Sequence, residues 1–200
     1  MKKQKLTLLL SIITILILQS EVTSGQKTYT SITDKSKLEW LGEKVTGEHK
    51  GTIDLSSGEI TMKDNVLTGA VFIIDMNTIK NTDISDADTR KKLLGHLNSE
   101  DFFNVNKYPT ATLKVTNQPD FGTGSAWVKA NLTIKGKTHP VEFRASKKTV
   151  DGGIKFYANI TIDRTKYDVR YGSGKFFDNL GDKTIYDEFK LKVNVFVKEK

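Results

Sequence analysis

Apolar and polar residues alternate with a period of two through much of the chain beyond residue 110, and this pattern constrains the fold more than any other feature. In residues 126–134, every second residue from Ala126 to Ile134 is apolar, and the intervening residues, apart from Trp127, are Lys, Asn and Thr. The pattern recurs in residues 110–116, 141–145, 154–162 and 189–197. Such alternation is typical of antiparallel strands that have one dry face and one wet face.

Turn sequences separate these runs at short intervals. They are Ser57-Gly58, Asp64-Asn65, Gly122 to Gly124, Lys135-Gly136-Lys137 and Asp151-Gly152-Gly153. Consecutive strands are therefore expected to be joined as hairpins. Strands with one dry face must either pack as the two sheets of a sandwich or close into a barrel, and the pattern alone leaves both open. Since no internal repeat or low-complexity linker interrupts the series, we expect a single domain over residues 26–200.

A helix is expected in the middle of the chain, where the alternation stops. Ser85 precedes two aspartates and is a suitable N-cap, and Leu93, Leu94 and Leu97 form an apolar stripe at helical spacing. Residues 98–101 offer a second cap, so a further helical turn is expected after the first helix.

The segment before this helix, residues 66–76, is apolar on both faces of the predicted strand. Its outer face therefore needs a cover. The helix, or the Phe102-Phe103 pair that follows it, is expected to supply that cover.

The first 25 residues have the order of a secretory signal peptide. Three lysines precede an uncharged run from Leu6 to Leu18, and the small residues Thr23, Ser24 and Gly25 follow. The run is shorter than the roughly 20 apolar residues that a membrane span needs, so cleavage near Gln26 is favoured over a retained N-terminal anchor. We expect export to the periplasm or secretion. The chain has no cysteine, which excludes a lipoprotein anchor and disulfides.

The net charge does not favour nucleic acid as a partner. Removal of Lys2, Lys3, Lys5 and Glu21 with the signal lowers the formal charge from +7 to +5. The remaining basic residues are spread singly along the predicted strands, which is typical of solvated outer faces rather than of a nucleic-acid track.

Five separated motifs give the chain a resemblance to a known family. They are Gly42, His49-Lys50-Gly51, His96-Leu97 with Ser99 to Phe103, Tyr108-Pro109, and Leu132 to Thr138. Their order and spacing resemble the YceI-like family of bacterial polyisoprenoid-binding proteins, and the match runs from about Ser36 to Val197. The chain departs from the family pattern at residues 163–167 and in the longer stretch 171–189.

The resemblance implies an all-β fold with a short helical insertion: an eight-stranded antiparallel lipocalin-like barrel whose interior holds an isoprenoid tail, without catalysis or cofactor. The ligand would be a polyprenyl phosphate or an isoprenoid quinone, loaded through transient membrane contact, and a homodimer is left open. Phe102 and Phe103 are expected to cap the barrel.

Candidate ligand-binding residues follow from the predicted dry faces and from the loops. The candidates for contact with the apolar tail are Leu113, Val115, Val128, Leu132, Phe143, Phe156, Ile160, Phe189, Leu191 and Val193. The candidates for contact with an anionic head group are His49, Arg90, Arg164 and Lys166.

Two other classes of protein are left open by the residues themselves. One is a structural or partner-binding β domain with a filled interior, whose contact patch would be Trp127, Tyr157 and Phe196 on faces assigned as wet. The other is a metal-dependent enzyme, because three histidines can hold a catalytic zinc. The histidines of this chain, however, have no metal-ligand spacing.

Overall fold

The computed structural model describes residues 25–200, so the predicted signal peptide, apart from Gly25, lies outside the described residues. These residues form nine strands and one α-helix, with short 3-10 turns at Thr33–Lys35, Arg164–Tyr167 and Gly181–Lys183. The strands and the helix are β1 (Lys27–Ser31), β2 (Lys37–Lys44), β3 (Gly47–Lys63), β4 (Val66–Asn81), α1 (Ala87–Asn98), β5 (Thr110–Val115), β6 (Ser125–Ile134), β7 (Lys137–Val150), β8 (Gly153–Asp163) and β9 (Ile185–Glu199).

Eight of the strands close into an antiparallel barrel, which confirms the predicted fold class. Strands β2 to β9 pair in the ring order β3-β2-β9-β8-β7-β6-β5-β4, and β4 pairs back onto β3. The closed ring leaves no free sheet edge, so every strand is paired on both sides.

The extra strand β1 continues the line of β2 along the barrel wall. Like β2, it lies between β3 and β9: Thr30 is opposite Glu59 and Lys198, just as Leu38 is opposite Ile53 and Val193. The 3-10 turn at Thr33–Lys35 separates the two strands.

Most of the predicted turns are present. A two-residue connection, Lys135 and Gly136, joins β6 to β7 with φ angles of 49° and 70°, as a tight hairpin turn of the primed type requires. The turn predicted at Ser57-Gly58 is wrong, because β3 runs through it with a register shift between Leu55 and Ser57. Gly58 is needed there for space, since a Cβ would lie 2.5 Å from the ring of Phe72.

The helix begins one residue later than predicted, and it packs against β4 over only part of that strand. Asp86, not Ser85, is the N-cap, and its carboxylate accepts a hydrogen bond from the Thr89 amide. The expected second helical turn is a series of hydrogen-bonded turns instead. Helix α1 does not cover the outer face of β4 along its length, since Val71 remains 37% exposed.

The barrel has two different ends. At the mouth, as we name it, α1 and the turns after it lie over the opening, and the long loop of residues 168–184 lies beside them, where the Tyr171 ring contacts that of His96. At the opposite end, the base, the loop between β5 and β6 inserts Phe121, which is 2% exposed and packs edge-on to Phe156 with ring centroids 5.5 Å apart. The base is thus closed by one buried aromatic side chain, whereas the mouth is covered by two longer segments of the chain.

Phe196 was assigned to a wet face, and this prediction is wrong. The side chain is 6% exposed. The 3-10 turn that joins β1 to β2 lies over it: Ile32 donates to the Phe196 carbonyl, and the Phe196 amide donates to Ser36 Oγ. A turn from a distant part of the chain, which alternation cannot reveal, makes this outer position dry.

Candidate ligand-binding site

The barrel interior contains two apolar cavities that lie end to end. The mouth chamber has a volume of about 140 Å³ and is bounded by residues of α1 and by the start of β9. The base chamber has a volume of about 100 Å³ and extends to Phe121. Apolar atoms form almost the whole lining of both chambers, so neither attracts water strongly.

A layer of aliphatic side chains, which we call the waist, divides the two chambers. Its members are the residues that line both: Leu38, Ile74, Leu132, Ile162 and Leu191. They come from β2, β4, β6, β8 and β9. Four of these strands alternate around the ring, as the stagger of a tilted barrel allows, and β9 lies between β2 and β8.

All ten residues predicted to contact an apolar tail line these chambers. Leu132 and Leu191 belong to the waist, and Phe189 lines the mouth chamber. The other seven line the base chamber: Leu113, Val115, Val128, Phe143, Phe156, Ile160 and Val193. The period-two pattern therefore identified the inner face of the C-terminal half of the barrel.

The sequence analysis missed the lining that the N-terminal strands and the mouth supply. The missed residues include Leu38, Trp40, Ile53, Ile74, Met76 and Ile79. The sequence does contain an alternation signal for Leu38 and Trp40, because they and Gly42 occupy every second position of β2. Tyr186 had no such signal, since its exposure at the chamber edge depends on the loop that precedes it.

Phe102 and Phe103 lie over the barrel end, as predicted. Phe102 is 7% exposed, its ring lies edge-on to that of Phe103 with centroids 5.0 Å apart, and both line the mouth chamber. Leu97 of α1 lines the same chamber. The helix and the turns after it thus form an apolar lid over the barrel.

Arg164 is the only predicted head-group residue that lines a chamber, and it already has several partners. It is 2% exposed. Its Nη1 donates to the Val169 carbonyl at 2.7 Å, Nη2 to Ile185 at 2.9 Å and Nε to Tyr186 at 3.0 Å. Burial lowers the pKa of Arg164, while nearby Asp187 and Asp163 act in the opposite direction. The guanidinium therefore holds the mouth loop against the start of β9.

The other three head-group candidates lie outside both chamber linings. His49 Nδ1 donates to Asp83 at 2.8 Å, and Arg90 Nη1 donates to the Ile84 carbonyl at 2.7 Å. Lys166 is exposed. The structure does not bring the four candidate side chains together at one site.

Lys135 connects the two segments that cover the mouth. Its Nζ donates to the Glu100 carbonyl at 2.9 Å and to the Asp168 carbonyl at 3.1 Å. Glu100 follows α1 and Asp168 begins the long loop, so one ammonium group in the β6–β7 turn restrains both.

The three histidines lie apart from one another. The ring of His96 is edge-on to those of Tyr171 and Phe102, and the ring of His139 is edge-on to that of Tyr167. Within residues 25–200, no group of three or more His, Cys, Asp or Glu side chains is placed to hold a metal ion. In the same part of the chain, no helix has the length and apolarity of a membrane span.

Comparison with known proteins gives the chain its relatives. A UPF0312 protein of Vibrio cholerae is 31% identical over 96 residues, which is 48% of each chain, and one of Shewanella denitrificans is 40% identical over 50 residues, or 25% of this chain and 26% of that one. The chain thus spans about half the length, or less, of the curated relatives it matches.

The barrel is also similar to solved structures. BcnA of Burkholderia cenocepacia matches with a TM-score of 0.68 at 21% identity, over 83% of this chain and 98% of that one. A polyisoprenoid-binding domain of Saccharophagus degradans, implicated in plant cell wall breakdown, matches with a TM-score of 0.63 at 15% identity, over 86% and 98%. At these identities the likeness shows the fold alone. The model of the YceI-like domain matches residues 29–197, nearly all that the structure describes, and on that match the chain belongs to the YceI-like family.

Proposed function

We propose that the protein is an exported, non-catalytic carrier that holds the tail of an isoprenoid-type lipid inside its barrel. The observation that carries this proposal is the pair of apolar chambers, aligned along one barrel and separated only by aliphatic side chains. A water-filled pore would need polar walls, and a fully packed core would leave no cavities of this size. The similar domain of Saccharophagus degradans is a polyisoprenoid-binding domain, which is consistent with the same ligand class.

The chamber volumes support a ligand that enters by moving the waist. The mouth chamber is close to the roughly 150 Å³ at which an apolar cavity binds a benzene-sized molecule, and the base chamber is smaller. A longer tail requires the two chambers to join. Side chains such as Leu132 and Leu191 form no hydrogen bonds, so a change of rotamer loses only their packing contacts.

The charges at the mouth favour a neutral head group over a phosphate. The charged side chains that line the mouth chamber are Glu43, Glu188 and Arg164. Arg164 already donates to three carbonyls, and Glu43 is paired with Lys190 at 2.9 Å, so no charged side chain of the chamber lining offers an unpaired cation to a phosphate. An isoprenoid quinone therefore fits this site better than a polyprenyl phosphate.

Export is part of the proposal and rests on the first 25 residues of the sequence. A basic start, a short apolar run and small residues are the order of a secretory signal. A carrier in the periplasm or outside the cell would move a lipid that water dissolves poorly.

Native mass spectrometry tests the proposal. The protein is purified from its own source without detergent, and any released lipid is extracted and identified. A stoichiometric isoprenoid lipid is expected. A ligand-free mass, with no uptake of a quinone or of a polyprenyl phosphate of equal tail length, would contradict it and favour a structural or partner-binding domain.

Variants that fill the chambers sharpen this test. Ala111→Leu places a larger side chain in the mouth chamber, and Ala70→Leu does the same in the base chamber. Both positions are 5% exposed. Ala87→Leu is the matched control, because Ala87 is exposed at the start of α1. Reduced lipid content in the first two variants, with folding intact by circular dichroism, is expected. Equal content in all three would mean that the lipid lies elsewhere.

A further inference from the structure

Exposed aromatic side chains are concentrated at the mouth. Eight large apolar side chains are exposed within residues 25–200, and three of them are scattered on the barrel wall. The other five lie in the loop after β8, at the start of β9 and in the β2–β3 turn. They are Tyr171 (46% exposed), Phe176 (44%), Phe177 (49%), Tyr186 (50%) and Val45 (49%). We call the four aromatic residues of this set the aromatic rim.

Local contacts hold the aromatic rim outward. The amides of Phe176 and Phe177 both donate to the carbonyl of Ser173, at 3.1 Å, and Ser173 is fully buried. The ring of Tyr171 lies edge-on to that of His96, with centroids 4.3 Å apart, and the guanidinium of Arg170 lies 4.7 Å from the centroid of Phe176. Hydrogen bonds and ring contacts of this kind fix the position of the loop, so its exposed rings form a defined surface.

The rim is continuous with the opening of the mouth chamber. Tyr186 belongs to both, because it lines the chamber while half of its surface is exposed. The Ile185 amide donates to the Gly172 carbonyl at 2.8 Å, which ties the chamber edge to the loop that carries the rim. The Val45 amide donates to the Thr184 carbonyl at 3.1 Å and brings the β2–β3 turn to the same edge.

The charges of the loop balance. Residues 168–184 contain three acidic side chains and three basic ones: Asp168, Asp178, Asp182, Arg170, Lys175 and Lys183. An anionic surface such as nucleic acid or an acidic membrane would require a basic excess. Phenylalanine and tyrosine together, without that excess, are suited to the boundary between the head groups and acyl chains of an uncharged bilayer.

We infer that the aromatic rim docks the mouth of the barrel onto an uncharged lipid bilayer surface. This inference rests on the proposed carrier function, because a tail dissolved in a bilayer can enter the mouth chamber directly only if the opening lies against that bilayer. Apolar side chains around the opening exclude water from the path. The tail then passes from lipid to barrel without crossing an aqueous gap.

Vesicle flotation tests the docking surface. The protein in its exported form, without the first 25 residues, is mixed with phosphatidylcholine vesicles. The wild type, the double variant Phe176→Ser, Phe177→Ser and the single variant Trp127→Ser are compared. Trp127 is the matched control, since it is 60% exposed but lies on β6 in the barrel wall. We expect the double variant to lose at least about tenfold in vesicle partition, and the control to stay within about twofold. Added salt should change neither result appreciably, because the interaction is apolar.

Three outcomes would overturn the docking surface. One is that the wild-type protein does not float with phosphatidylcholine vesicles. Another is equal loss in the Trp127 variant and the Phe176, Phe177 variant, and the third is flotation that requires anionic lipid and disappears in salt. Uptake of a quinone from detergent solution, measured in parallel, separates this inference from the proposed function. Uptake without flotation would retain the carrier and reject bilayer docking in favour of transfer from a protein partner.

Discussion

His49 and Asp83 join the wall of the barrel to the segment that leads into its lid. His49 Nδ1 donates to Asp83 Oδ2 at 2.8 Å, and the other carboxylate oxygen accepts from the Lys50 amide at 2.8 Å and from Asn81 Nδ2 at 2.6 Å. Asp83 lies between β4 and α1, while His49 and Lys50 belong to β3. A carboxylate with three donors therefore fixes the point at which the chain leaves the barrel to form the lid.

Replacement of Asp83 by alanine should lower the free energy of unfolding by about 1 kcal/mol at neutral pH, because three donors lose their acceptor but stay within reach of water. Burial alone would raise the pKa of Asp83, but the hydrogen bonds from His49, Lys50 and Asn81 outweigh it and hold that pKa below its ordinary value of 3.8. A lowered pKa in the folded state contributes stability above the unfolded-state value, and this contribution is lost as the pH falls through the folded-state value. Urea denaturation should thus show that the difference in the free energy of unfolding between wild type and Asp83→Ala becomes smaller below about pH 4. A difference independent of pH would assign the loss to packing instead.

Gly51 lies where the backbone of β4 comes close to β3, and its replacement should be costly. A Cβ at this position would collide with the Lys80 carbonyl oxygen and would lie 2.7 Å from the Trp40 ring. Trp40 Nε1 donates to the same carbonyl at 3.2 Å, so the group that a methyl would displace is already in use. Gly51→Ala is expected to cost more than about 3 kcal/mol in the free energy of unfolding.

Gly69→Ala is the control for this position. Gly69 lies in β4, and a Cβ there would meet only Thr61 Oγ1, at 4.0 Å. The same substitution should therefore change stability by less than about 1 kcal/mol. Similar losses at both positions, measured by chemical denaturation, would mean that close strand contact is not the reason for Gly51.

The alternation of the sequence was sufficient to identify the inner wall of the barrel from β5 to β9. Each residue of such a strand faces either the core or the solvent, so a residue such as Phe156 or Val193 could be assigned without any knowledge of its neighbours. Phe196 could not, because a turn from a distant part of the chain covers it. Trp40 and Leu38 had the same pattern as the residues that were identified, but the apolar Leu41 interrupts the alternation of β2.

The role of Arg164 was not predictable from its residue type. An arginine near a barrel mouth has the chemistry to bind an anion, and its sequence neighbours do not indicate burial. Its acceptors are backbone carbonyls of Val169, Ile185 and Tyr186, which become neighbours only when the loop folds back. Backbone groups carry no sequence signature, and for this reason the hydrogen bonds of Arg164 could not be predicted from the sequence.

Arg164→Lys should release the mouth loop. A lysine offers a single ammonium group, which cannot reach three carbonyls in the fork geometry of a guanidinium. We expect a loss of about 3 kcal/mol in stability and faster hydrogen exchange at the Ile185 amide, which donates to Gly172. Arg144→Lys is the control, because Arg144 is exposed on β7 in the barrel wall, outside the mouth loop, and donates to Ser125 Oγ at 2.9 Å. Unchanged exchange at Ile185 in the Arg164 variant would rule out a restraining role.

The waist should determine how long a tail the barrel accepts. Leu132 is 5% exposed and lies between the two chambers, so Leu132→Ala would join them at a cost of about 2–5 kcal/mol in stability. Leu67→Ala is the matched control, because Leu67 is 4% exposed and lines only the base chamber. Competition between a short-tailed and a long-tailed quinone should shift toward the long tail in the Leu132 variant and stay near wild type in the Leu67 variant. An equal shift in both would mean that added volume, wherever it lies, sets tail preference, and the waist would then be no more than core packing.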